Sequence, residues 1–203
     1  MAPFRLIFAA FFVTLAGLLA TACLPVTSKA PIGTTVGLGP DPALAGAWKA
    51  APTADNKGPT YLHFLANAEG GMSVLIVSHA QGKGDAGWNE YRVTAATLNG
   101  HHYLNALAVQ EDGKPISDAS ATRNTPLLYT LSAGGRTLSL YLVDEAAAKA
   151  AIKAGRIKGS VEPGDFGDVV LTAAPDVLDA FFARDDAPAL FDQKPLLTLQ
   201  RLD

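Results

Sequence analysis

The sequence predicts an α+β fold: an antiparallel curved sheet or small β-barrel of seven to nine strands, with two helices late in the chain. Three observations point there. Short runs of alternating apolar residues recur along the chain, separated by glycine-bearing turns. Asn99-Gly100 and Gly134-Gly135 sit between pairs of such runs, where hairpin turns need positive φ. Helical periodicity is confined to the stretch after Asp144. A length of 203 residues suits one domain, and a 49% hydrophobic content is ample for a packed core.

The elements follow in order. Residues 47–51 form a short first strand. Residues 60–67 and 72–79 form a hairpin closed by Ala68-Glu69-Gly70-Gly71. Residues 88–98 alternate in part, with Tyr91, Val93 and Ala95 on one face, and Asn99-Gly100 turns the chain into a strand over 101–109. Residues 111–124 are polar and read as a loop. Residues 127–131 and 137–143 form the clearest hairpin, with Leu138, Leu140 and Leu142 at period two. Asp144 caps a helix that carries Glu145 and Lys149 one turn apart and stops at Gly155. Residues 157–167 read as irregular and 168–172 as a strand. Pro175 opens a second helix, whose stripe of Val177, Leu178, Phe181 and Phe182 predicts a main core face. Residues 195–202 form the final strand.

Composition excludes several function classes. There are 19 acidic against 16 basic side chains and a formal charge of −3, with no basic run. A nucleic-acid binder needs clustered cations, so none is expected. A single cysteine excludes an internal disulfide framework and any cysteine-based zinc cluster.

That cysteine sits in an informative place. One positive charge lies in residues 1–5, an apolar run fills residues 6–19, and Ala20-Thr21-Ala22-Cys23 follows. This is the charged, apolar, small-residue order of a secretory signal. The apolar run of about 14 residues is short of the ~20 a spanning helix needs. The segment resembles the lipobox of bacterial lipoproteins, with Ala20 where that family usually has Leu. The resemblance implies lipidation of Cys23, removal of residues 1–22, and an anchored body. Leu24, rather than Asp, after the cysteine implies the outer membrane, with the protein facing the periplasm. Residues 23–42 are then expected to be the lipidated cysteine and a flexible tether rich in Pro and Gly, ahead of one domain over 43–203.

A second resemblance concerns the fold. Leu44-x-Gly46-x-Trp48 opens the first strand, and Leu197, Leu199 and Arg201 share a face of the last. This is similar to lipocalin-type barrels, in which an Arg near the last strand lies across a Trp that plugs one barrel end. A guanidinium over an indole gains ~0.5–2 kcal/mol. Arg201 matches the parity of two leucines, which suits a charge capping a barrel end. The two late helices depart from a plain lipocalin. The mature chain as a whole resembles small uncharacterised bacterial lipoproteins, a likeness that implies a fold and supplies no activity.

Catalytic chemistry is sparse. His101 and His102 are strand neighbours and point to opposite faces. His63 and His79 meet only in a suitable hairpin register. There is no Gly-x-Ser-x-Gly elbow, Gly82-Lys83-Gly84-Asp85 lacks the phosphate-loop spacing, and Glu111-Asp112 and Asp185-Asp186 lack calcium-loop spacing. No metal or cofactor is expected. Trp88 and Tyr91 are candidates for a pocket rim. The expected function is a non-catalytic, lipid-anchored envelope module that binds a protein partner or a small apolar ligand. The competing expectation is a hydrolase using His101 or His102.

Overall fold

In the computed structural model, the residues described are 25–52, 58–78, 87–116, 122–162 and 168–202. They contain a closed barrel of eight antiparallel strands, one extra strand, a small second sheet and two helices.

The barrel strands are β2 (Gly46–Ala50), β3 (Thr60–Ala66), β4 (Met72–Ser78), β5 (Gly87–Leu98), β6 (His101–Glu111), β8 (Thr125–Leu131), β9 (Thr137–Leu142) and β12 (Leu197–Arg201). Neighbours in sequence pair round the wall, and β12 closes it between β9 and β2. Closure leaves the barrel without a free edge, which is the usual liability of an antiparallel sheet. The predicted turns follow their chemistry. Asn99 (φ 50°) and Gly100 (φ 78°) both take the left-handed conformation of a two-residue hairpin. The loop between β3 and β4 is held by the Asn67 side chain, whose Oδ1 accepts from the amides of Glu69 and Gly71 at 3.1 and 3.0 Å.

Alternation decides which side chains enter the barrel. On β3, Leu62 and Phe64 point in while Tyr61, His63 and Leu65 point out. The same logic turns Trp48, Met72, Val74, Val93, Leu104, Leu138 and Leu199 inward, and these form one buried cluster with Leu44. Complete burial of side chains this large contributes roughly 1.5–3 kcal/mol each.

A second core lies outside the barrel, against the wall made by β6 and β8. Tyr103 on β6 points outward into it. The other members come from α1 (Glu145–Lys153), α2 (Pro175–Phe182) and the small sheet, together with residues outside these elements, among them Val26, Ile32, Leu98, Leu190 and Phe191. That sheet comprises β1 (Thr27–Ser28), β11 (Val169–Leu171) and β10 (Gly159–Val161), with β1 parallel and β10 antiparallel to β11. Tyr103 donates to the Phe182 carbonyl at 2.9 Å, and its ring packs edge-on to Phe182.

Several expectations need correction. The segment expected to be a flexible tether is docked on the domain over its described part, residues 25–42. Val26 and Ile32 are fully buried, and β1 pairs with β11. Asn105, itself buried, bonds both the amide and the carbonyl of Ile32, and the Asp179 carboxylate accepts from Gly33 and Thr35. Prolines and glycines give this arm no periodicity, but its polar backbone finds fixed partners. Residues 111–124 are not all loop: Asp112-Gly113 makes a tight turn to β7 (Lys114–Pro115), the ninth strand of the large sheet. Residues 159–161, expected to be irregular, form β10. On α2 the buried face is Leu178, Asp179, Phe181 and Phe182, while Val177 is exposed. The helix turns its buried carboxylate toward the arm, and Val177 is rotated out as a consequence.

Candidate functional site

Trp48 and Arg201 come together at one end of the barrel. The Arg201 guanidinium carbon lies 4.2 Å from the Trp48 ring centroid. A short 3₁₀ turn, Pro42–Leu44, crosses this end and inserts Leu44 into the barrel. Asp41 caps the turn, its Oδ1 accepting from the Ala43 amide. The turn's carbonyls are then collected. Trp48 Nε1 donates to Leu44 O at 2.8 Å. Arg201 donates to Ala45 O at 2.6 Å, to Gly135 O at 2.9 Å and to Ala43 O. Tyr129 completes the plug by donating to Asp41 Oδ2 at 2.6 Å. Burial and the bond to Asp41 push the Tyr129 phenol well above its ordinary range.

The barrel interior above this plug is filled by side chains. Trp48, Leu138 and Leu199 are wholly buried, and Leu62, Phe64 and Leu104 nearly so. Eight strands make a barrel whose interior side chains can fill it, and here large residues face one another across it. Outside the barrel, a depression of about 100 Å³ lies beside the helices, lined by Ala147, Arg156, Phe181, Asp186, Ala189 and Leu190. Drug-sized ligands occupy ≈ 300–1,000 Å³, so this depression is too small for one.

Trp88 and Tyr91 do not share a rim. Trp88 is paired with Val77 on the outer face of the wall, and its ring lies against Gly113. Tyr91 is paired with Val74 and packs on the barrel core. Burial, with a smaller contribution from the Glu111 charge, raises the Tyr91 phenol.

The histidines are dispersed. His63 is exposed on the outer wall. His102 Nδ1 meets Thr97 Oγ1 at 2.9 Å, and its ring lies beside Tyr129. His101 is turned the other way, edge-on to Tyr103, with Nε2 buried and without a hydrogen-bond partner. His79 lies outside the described residues. Among the described residues, no three His, Cys, Asp or Glu side chains are grouped so as to hold a metal ion.

The feature that sequence reading missed is a row on the outer wall. Register places Lys49, Tyr61, Val77 and Trp88 side by side across β2, β3, β4 and β5. All four point outward, and Tyr61, Val77 and Trp88 are 40%, 44% and 38% exposed. Leu65, also exposed, lies on the same face of β3 beyond His63. The outward parity of Tyr61 and Val77 was readable within each strand; their alignment into one row required the register. No family model, curated protein or solved structure matches the chain.

Proposed function

We propose that the protein is a non-catalytic module of the bacterial cell envelope, anchored through lipid on Cys23 and acting through its outer surface on a protein partner. The filled barrel carries this reading. A lipocalin-type carrier needs an internal cavity, and here the interior positions are taken by Trp48, Phe64 and eight leucines among others. That favours a partner over an apolar ligand held inside.

The anchor reading rests on the order of residues 1–23. In the expected mature form, thioether attachment and acylation of the new amino terminus supply more than one chain. A single chain binds membranes only marginally, and two hold firmly. The outer membrane, facing the periplasm, is the expected site. Mass spectrometry of the mature amino terminus is the test. The expected result is a diacylglyceryl adduct on Cys23 in the envelope fraction, absent from Cys23→Ser. An unmodified Cys23 would overturn the reading.

A further inference from the structure

We propose that the row Lys49, Tyr61, Val77 and Trp88 is a membrane-contact belt, seated at the headgroup level of the bilayer that holds the anchor. The inference rests on the Cys23 anchor proposed above and adds to it an orientation.

The first argument is the length of free chain. Had residues 24–42 been a loose tether, the domain could have stood well clear of the membrane. Instead Val26 is 1% exposed, and Ser28 exchanges backbone hydrogen bonds with Asn124 at 2.7 and 2.9 Å. Cys23 precedes Ser28 by five residues, so it lies within roughly 18 Å of it at ~3.3–3.6 Å per residue. A lipid on Cys23 therefore brings the bilayer against the domain itself.

The second argument is which end of the barrel that is. Asn124 immediately precedes β8 at the end away from the Trp48–Arg201 plug. The exposed row lies toward the same end, next to Thr60, Ser78 and Gly87, where β3 and β5 begin and β4 stops.

The third argument is chemistry. Tyr and Trp carry an apolar body and a polar tip, and both are enriched at membrane interfaces. Val77 lies between them and supplies apolar area. Lys49 ends the row with a cation on a flexible stem, suited to anionic headgroups. The row spans β2 to β5, and none of its four residues belongs to the core that the helices cover.

The two tryptophans provide the test, because Trp48 is wholly buried and Trp88 is not. The full-length chain is purified with its lipid, checked for the Cys23 adduct by mass spectrometry, and placed in phosphatidylethanolamine–phosphatidylglycerol vesicles with or without brominated acyl chains. Bromine should quench Trp88 severalfold and spare Trp48, so that Trp88→Phe abolishes the quenching. Val77→Asp should weaken it while the chain stays vesicle-bound. If the acylated, vesicle-bound chain shows no quenching, or Trp88→Phe is quenched as much as the wild type, the placement is wrong although the anchor stands. A chain that carries no adduct and fails to float with vesicles sinks the anchor reading and the placement with it.

Discussion

Arg201 spans the gap between the last strand and the first turn of the barrel, with its guanidinium over the Trp48 ring and its hydrogens on the carbonyls of Ala43, Ala45 and Gly135. One side chain thus joins β12, the 3₁₀ turn and the β8–β9 turn. Arg201→Ala should cost ~2–4 kcal/mol, combining the cation–π contact with the loss of charge-assisted hydrogen bonds. Arg201→Lys should recover less than half, because an ammonium cannot reach three carbonyls in a fixed fork. Urea unfolding followed by tryptophan fluorescence checks both values. Equal stability of Arg201→Lys and the wild type would show that charge alone closes this end.

The N-terminal arm depends on the Asp179 carboxylate, which accepts from Gly33 N at 2.6 Å and from Thr35 N and Oγ1 at 2.7 Å. Gly33 has φ 98°, and a Cβ placed there would sit 2.1 Å from the Ala96 Cβ. Asp179→Ala leaves buried donors unpaired and should cost about 3 kcal/mol. Gly33→Ala should cost ~2–4 kcal/mol through the clash and the left-handed backbone. In hydrogen exchange, both variants should expose amides in residues 25–36 while β3 and β4 stay protected. Uniform loss of protection would mean that the arm and barrel unfold as one unit.

The parts of this fold that could be read from sequence are those set by neighbours. Leu62 and Phe64 against Tyr61 and His63 carry the strand period on their own, and the parity of Arg201 with Leu197 and Leu199 marks the barrel end. The arm could not be read this way. Ile32 meets Asn105 across 73 residues and Gly33 meets Asp179 across 146, and nothing local announces either contact. Asp179 itself sits within an apolar stripe, where a carboxylate reads as the solvent side. The Asp112-Gly113 turn was visible as a dipeptide but was obscured by its polar surroundings. At the candidate site, strand parity alone separates Trp88 from Tyr91. The belt emerges only when three hairpin registers are known together.

Asp192 offers a pH test. Burial, and then the nearby Asp144 carboxylate, raise its pKa above the ordinary carboxylate range. The folded protein therefore prefers the neutral acid. That contribution is fully present below the unfolded carboxylate value of ~3.9 and is lost as pH rises through the raised one. At neutral pH the ionised group is a net cost. Asp192→Asn should raise Tm at pH 7, and the gain should disappear near pH 3. Asp144→Asn is a poor substitute, since Asp144 Oδ1 caps α1 by accepting from Ala147 N. A gain that persists unchanged into acid would rule out charge as its source.

The buried phenols give the corresponding alkaline test. Tyr103 is pushed well above its ordinary range by burial, and Tyr129 by burial and its bond to Asp41. Folding favours both as neutral phenols. Their contribution is intact below the unfolded phenol value of about 10 and fades as pH climbs through and beyond it. In the wild type, part of the phenolate absorbance should therefore rise only together with loss of the far-ultraviolet β signal. Tyr129→Phe should remove some of that coincident amplitude and cost ~1.5–3 kcal/mol at pH 7 by deleting one hydrogen bond to a carboxylate. Loss should be felt at the plug, because Asp41 also caps the turn that Arg201 holds. If all five tyrosines ionise before the β signal changes, the phenols are reachable by solvent and the plug is looser than its hydrogen bonds imply.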